Sequence, residues 1–337
     1  MALMIHGRSV SVISGIILVA LGALWQGCSE NGTEELTSDT LPLVRLQANW
    51  YAQTSHGGFH QAMAKGIYEK HGVQVELMDA GPGSKFMQKV ALGDADIGMN
   101  RFDSIAQAVD KGLPIVAVAI FMYHDAAAFM VREDSPVKTF SDLDGRRVML
   151  AVGSTFEAYF RRQFDIEFKA VPYNWGYGEF MIDPELTQQS YVTNEPYFVA
   201  REGVATRTLP FYEAGYDPPQ VLFANREFLE KNPDTVRRFL AATIEGYLDF
   251  MDNDPQPAFD SIHSYNPNLD QDHMRFAHGV LVDQHFLRGE PELDYQYGTM
   301  PDAKMRKVVD ILKDLDLVSK ELTLEECVDS SFLPGED

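Results

Sequence analysis

Apolar and polar residues alternate along Val44-Arg45-Leu46-Gln47-Ala48 and again along Val73-Gln74-Val75-Glu76-Leu77. That two-residue period predicts strands with one face toward a core. Between them Phe59, Met63 and Ile67 recur at helical spacing up to His71, and Gly72 supplies the stop. The pattern then repeats. Ser84 to Leu92 reads as a helix closed by Gly93, Ala95 to Met99 as a short strand, Phe102 to Lys111 as a helix closed by Gly112, and Pro114 to Ile120 as a buried strand. Strands alternating with helices predict α/β layers with parallel sheets.

A second block follows Arg132. Thr139 to Gly145 is rich in turn residues, Arg147 to Val152 reads as a strand, and Phe156 to Phe164 as a helix. Gly153-Ser154-Thr155 at that helix start suits an anion or a ligand carbonyl, and equally an ordinary N-cap. Tyr191 to Phe198 is an apolar run broken by Pro196, and Val221 to Ala224 is another strand. Asp234 to Met251 and Ala303 to Leu315 have amphipathic helical spacing. No internal repeat is visible.

Length and charge narrow the picture. With 337 residues, 45% of them apolar, the chain has material for two lobes. Its net charge of −22 repels phosphate backbones, so nucleic acid is excluded as a partner and solubility outside the cell is the simplest use of the charge. The first residues differ. Arg8 is their sole formal charge, and an apolar run from Val10 to Trp25 ends at Gly27-Cys28. The run is shorter than the ~20 residues a spanning helix needs, which favours a signal peptide over an anchor helix. Leu24-Trp25-Gln26-Gly27-Cys28 resembles a lipoprotein signal, with Trp25 where leucine is usual. That resemblance implies cleavage after residue 27, lipidation of Cys28 and a polar tether over residues 28–42. Cys327 is the other cysteine, so the fold needs no disulfide.

A set of motifs then stands in order: Asn49-Trp50, His56-Gly57-Gly58-Phe59, Gly66-Ile67-Tyr68-Glu69-Lys70-His71-Gly72-Val73, Gly81-Pro82-Gly83, Gly93-Asp94-Ala95-Asp96, Asp142-Leu143-Asp144-Gly145-Arg146, Asn194-Glu195-Pro196 and Asn232-Pro233. Each is weak alone. Together, over roughly residues 43 to 250, they resemble the aminopyrimidine (thiamine-precursor) branch of ABC-transporter solute-binding proteins, akin to sulfonate-binding proteins and to fungal thiamine-pyrimidine synthase. The resemblance implies the type II periplasmic-binding-protein fold, in which two α/β lobes close on a ligand. It places the crossings near Phe129–Arg132 and Pro219–Ala224. Residues 43–131 and 222–337 then form lobe one, and 132–221 lobe two. It also implies an exported, lipid-anchored monomer that serves a membrane permease without a cofactor.

The fungal relatives are enzymes that consume a histidine and bound pyridoxal phosphate. By this alignment Asn100 stands where they have the pyridoxal-binding lysine, Ser104 where they have the donor histidine, and Tyr216-Asp217-Pro218-Pro219 where they have a cysteine cluster. An amide forms no Schiff base and a serine supplies no ring nitrogen, so a binding protein is expected rather than an enzyme. A ligand-sensing module is a third possibility, but no output domain is visible.

Ligands of open α/β lobes lie beyond the carboxyl ends of strands. Four segments qualify: Asn49, Trp50, His56 and Phe59; Asn100, Phe102 and Asp103; Ser154 and Thr155; Tyr191, Asn194 and Glu195. Trp50 offers a flat apolar face, with a core position as the alternative. Glu195, after an apolar run and before Pro196, is expected at a strand end, where an acid faces the cleft in the resembled family and can accept a bond from an amine. Trp175, among Tyr173-Asn174-Trp175-Gly176-Tyr177-Gly178, is expected on a loop at the cleft mouth. His56 and His60 have i, i+4 spacing but no third ligand nearby, so no metal is expected. With Glu195 and Asp103 against a single Arg101, the segments suit a neutral or cationic solute better than a sulfonate.

Overall fold

β4 (Ile115–Met122) reads Ile-Val-Ala-Val-Ala-Ile-Phe-Met and is buried throughout, as a strand covered on both faces must be. It edges a five-stranded sheet ordered β2-β1-β3-β10-β4, in which β1 is Leu43–Gln47, β2 Gln74–Met78, β3 Ile97–Arg101 and β10 Gln220–Asn225. β1 runs parallel to β2 and β3, and β10 runs antiparallel to β3 and β4. A second sheet is ordered β7-β6-β8-β5-β9, from β5 (Ala127–Arg132), β6 (Arg147–Leu150), β7 (Lys169–Pro172), β8 (Thr187–Tyr191) and β9 (Thr206–Pro210). Here β6 is parallel to β7 and β8, and β5 is antiparallel to β8 and β9. This computed structural model describes residues 41–293 and 295–335. The expected signal peptide, tether and Cys28 lie outside the described residues, apart from the tether's last two positions.

Each sheet has apolar clusters on its faces, so each is the centre of an α/β lobe. The chain passes between the sheets twice, through 123–126 and through 211–219. Both passages lie slightly off the expected crossings. β5 pairs wholly within the second sheet, so the first changeover precedes Phe129. All of β10, from Gln220, pairs within the first sheet, so the second precedes it. The apolar runs of β4 and β5 are separated by Tyr123-His124-Asp125-Ala126, and that polar interruption marks the change.

The Gly57-Gly58 pair has a packing cause. Helix Gly57–Ala64 lies against helix Pro233–Asp252, and a Cβ on Gly58 would fall 2.1 Å from Tyr247 Cγ. A Cβ on Gly246 would fall 2.5 Å from the Gly58 carbonyl. Only glycines permit this approach. The helix expected from Phe59 to His71 divides at Gly66, whose φ is +65°.

Candidate functional site

The ends of β1, β3, β6, β7 and β8 converge between the two sheets. Trp50, beyond β1, stacks on Trp175, beyond β7, with centroids 5.0 Å apart and planes 27° apart. Tyr51 meets Trp50 edge-on at 5.6 Å, and Tyr173 meets Trp175 edge-on at 5.1 Å. Four aromatic rings, two from each lobe, thus form one wall. A second contact joins the lobes: Gln107 Nε2 donates to Thr155 Oγ1 at 3.0 Å.

Buried polar side chains hold the loops. On β1, Gln47 Nε2 donates to the carbonyls of Met78 and Asp79 at 3.0 and 3.2 Å. On β8, Gln188 Nε2 donates to the Gly176 carbonyl at 2.9 Å, next to Trp175, and Gln189 Oε1 accepts from Ala151 N at 2.8 Å. Trp175 has φ +62°, a left-handed conformation that a tryptophan keeps only when its surroundings fix it.

A buried charged group lies where the chain passes between the sheets. Arg101, at the end of β3, donates from Nη2 and Nε to Asp103 at 2.8 and 3.2 Å. Asp103 is fully buried and also accepts from the Tyr216 hydroxyl. Asp125 Oδ2 accepts from Gln220 Nε2 at 3.0 Å and lies 3.9 Å from Arg101 Nε. Burial pushes the Asp125 carboxyl above its usual range, partly offset by Arg101. Arg101 is therefore paired where it stands, with Asp103 in direct contact and Asp125 nearby.

The candidate residues separate on this geometry. Asp103 is buried against Arg101 and Tyr216, Glu195 is bonded to Tyr173 and Tyr191 within the second lobe, and Tyr191 ends β8. Trp50, Trp175 and Thr155 take part in the contacts between the lobes. Phe59 and Phe102 do not: both are fully buried core residues, Phe59 against Phe121 and Tyr247, and Phe102 in the cluster with Ile105 and Val221. Each lies in the first turn of its helix and packs inward, which sequence proximity to a cleft loop hides. His56 is buried behind Asn49, with Nε2 3.2 Å from Asn49 Oδ1, and burial holds its imidazole down to about 3. Asn100 Nδ2 donates to Met87 Sδ at 3.4 Å. Ser154 caps helix Thr155–Phe164 by accepting from Glu157 N, the capping alternative. Asn194 precedes helix Glu195–Arg201, so Glu195 opens a helix instead of ending a strand, yet it is only 5% exposed. Pro196 occupies that helix's first turn, where its missing N–H costs nothing. Asp125, Tyr173, Gln188 and Tyr216 were not picked out by sequence. A charged residue between the apolar runs of β4 and β5 was the available signal for Asp125. Among the described residues, no three His, Cys, Asp or Glu side chains gather as metal ligands.

The profile of the family described as NMT1/THI5 like matches residues 53–258. The riboflavin-binding protein RibY of Chloroflexus aurantiacus is 21% identical over 309 residues, covering 88% of this chain and 87% of that one. A 4-amino-5-hydroxymethyl-2-methylpyrimidine phosphate synthase of Saccharomyces cerevisiae is 21% identical over 250 residues, 68% of this chain and 73% of that one. Among solved structures, the periplasmic aliphatic sulphonate binding protein SsuA from Escherichia coli superposes with a TM-score of 0.66 at 17% identity, covering 86% of this chain and 92% of that one. The two lobes seen here are those of the periplasmic-binding-protein fold.

Proposed function

The chain belongs to the NMT1/THI5-like family, and on that premise we propose that it is the extracytoplasmic solute-binding receptor of an ABC importer. It captures a small, flat, amine-bearing heteroaromatic, such as a thiamine pyrimidine precursor, between its lobes. One observation carries the reading: Trp50 and Trp175 come from opposite lobes and meet face to face. The two indoles touch each other here, so a ring gripped by both must first part them, and it favours the closed state through its differential affinity for that state. A neutral or cationic solute fits better than a sulfonate, because Arg101 is already committed to Asp103. Residues 1–27 direct export and Cys28 takes the lipid, so the receptor stays at the membrane beside its permease.

The second reading is synthesis of the pyrimidine, since relatives carry that name. The residues here do not fit pyridoxal phosphate. The Asn100 amide forms no Schiff base and is turned to Met87, and Ser104 supplies no ring nitrogen. Capture without turnover is therefore the reading we adopt. Calorimetry with riboflavin, 4-amino-5-hydroxymethyl-2-methylpyrimidine and an alkanesulfonate tests it. Binding of a heteroaromatic, unchanged on recovery, is expected. Binding of the sulfonate alone, or release of a new product, would refute it.

A further inference from the structure

Glu195 is nearly buried, and both its carboxylate oxygens are engaged within its own lobe. Oε1 accepts from the Tyr173 hydroxyl at 2.7 Å, and Oε2 accepts from Tyr191 N at 2.8 Å. Tyr173 in turn meets Trp175 edge-on, with planes 62° apart. Trp175 itself is 61% exposed and has a left-handed backbone, so little beyond its neighbours fixes it. Gln188 holds the following carbonyl, at Gly176, and Tyr173 holds the ring. Glu195, Tyr173 and Trp175 thus form a chain that ends at Trp50 in the other lobe.

We propose that Glu195 is a positioning residue that fixes Tyr173, and through it Trp175, instead of presenting its charge to the ligand. The inference rests on the reading of Trp50 and Trp175 as the gripping pair. It has a distinctive chemical consequence. In Glu195→Gln the amide oxygen can still accept from Tyr191 N, and the amide nitrogen can donate to the Tyr173 oxygen once the phenol turns its hydrogen away. Both tethers survive without the charge. In Glu195→Leu neither survives. Tyr173→Phe keeps the carboxylate and the ring but removes the bond between them.

Two stacked indoles give a paired exciton signal in circular dichroism, which reads the Trp50–Trp175 geometry without any ligand. The chain has three tryptophans, so the full chain carrying Trp25→Phe reports this pair alone, and Trp50→Phe serves as the control that abolishes the signal. The signal should persist in Glu195→Gln and weaken strongly in Glu195→Leu and Tyr173→Phe. Titration with 4-amino-5-hydroxymethyl-2-methylpyrimidine should give affinity within about threefold of the parent for Glu195→Gln, and about tenfold weaker for the other two. Should Glu195→Leu fail to fold, Tyr173→Phe gives the same reading alone. An unchanged signal in Tyr173→Phe would overturn the proposal. So would a tenfold or greater loss of affinity in Glu195→Gln with the signal intact, since the charge itself would then be the contact. Failure of the parent to bind the pyrimidine would count against that ligand class, while the exciton signal would still decide the positioning role.

Discussion

The two sheets have the same strand order, with one antiparallel strand inserted next to the last, yet they are built from different residues. In the first, β4 and most of β10 are apolar on both faces. In the second, the strand beside the antiparallel insertion is β8, Thr-Gln-Gln-Ser-Tyr, and its first four residues are buried polar side chains. The difference is in what the interior is used for. In the first lobe β4 and β10 are mostly packing, while Gln47 on β1, and His56, His60 and Gln61 outside the sheet, are buried polar groups. The second lobe places adjacent glutamines on β8, and each holds a different cleft loop. The same topology thus carries one sheet with mostly apolar central strands and one whose buried glutamines hold site loops by hydrogen bonds.

The largest expected contrast is with acid. All nine histidines lie outside residues 127–219. Burial holds His56 down to about 3 and His60 down to about 4, both below the unfolded value of 6.5. Between those values the unfolded chain binds more protons, so stability is present above about pH 6.5 and is lost as pH falls toward 4. Each histidine withdraws about 1.4 kcal/mol per pH unit over that window. Hydrogen exchange followed from pH 7 to pH 4.5 should show the first lobe opening before the second. Simultaneous opening would break the comparison.

The first lobe was also the more legible of the two from sequence. Its strands alternate or run apolar, and its helices stop at Gly72, Gly93 and Gly112, each with positive φ. In the second lobe the apolar run of β5 does not by itself separate a strand from a crossing, and β8 is hidden because buried glutamines look like a solvated loop until their backbone partners are known. The site divided in the same way. Trp50 and Trp175 stand out by composition and meet in space. The pairing of Arg101 with Asp103, and of Tyr173 with Glu195, depends on tertiary placement that no local period encodes. Phe59 and Phe102 show the reverse error, since residues next to a cleft loop can still face inward.

A smaller effect sharpens the comparison at the cleft. Trp50→Ala and Trp175→Ala should each weaken binding of the pyrimidine by about ten- to thirtyfold, comparable to the loss of an aromatic anchor, with thermal midpoints nearly unchanged. Loss in one variant only would place the ligand on a single lobe. Smaller still, Gln188→Leu leaves the Gly176 carbonyl without its donor and should lower stability by about 1 kcal/mol, read by denaturant unfolding. It should also broaden the Trp175 environment in fluorescence. No change in the Trp175 signal would mean that the loop holds its shape without β8.

Native mass spectrometry of the intact chain tests the central claim most directly. The chain is offered an equimolar mixture of riboflavin, 4-amino-5-hydroxymethyl-2-methylpyrimidine and an alkanesulfonate, beside the Trp50→Ala/Trp175→Ala variant. One heteroaromatic retained at a single equivalent by the parent, and lost by the variant, is the expected result. Retention of the sulfonate, or equal retention of any ligand by the variant, would contradict capture between the two indoles.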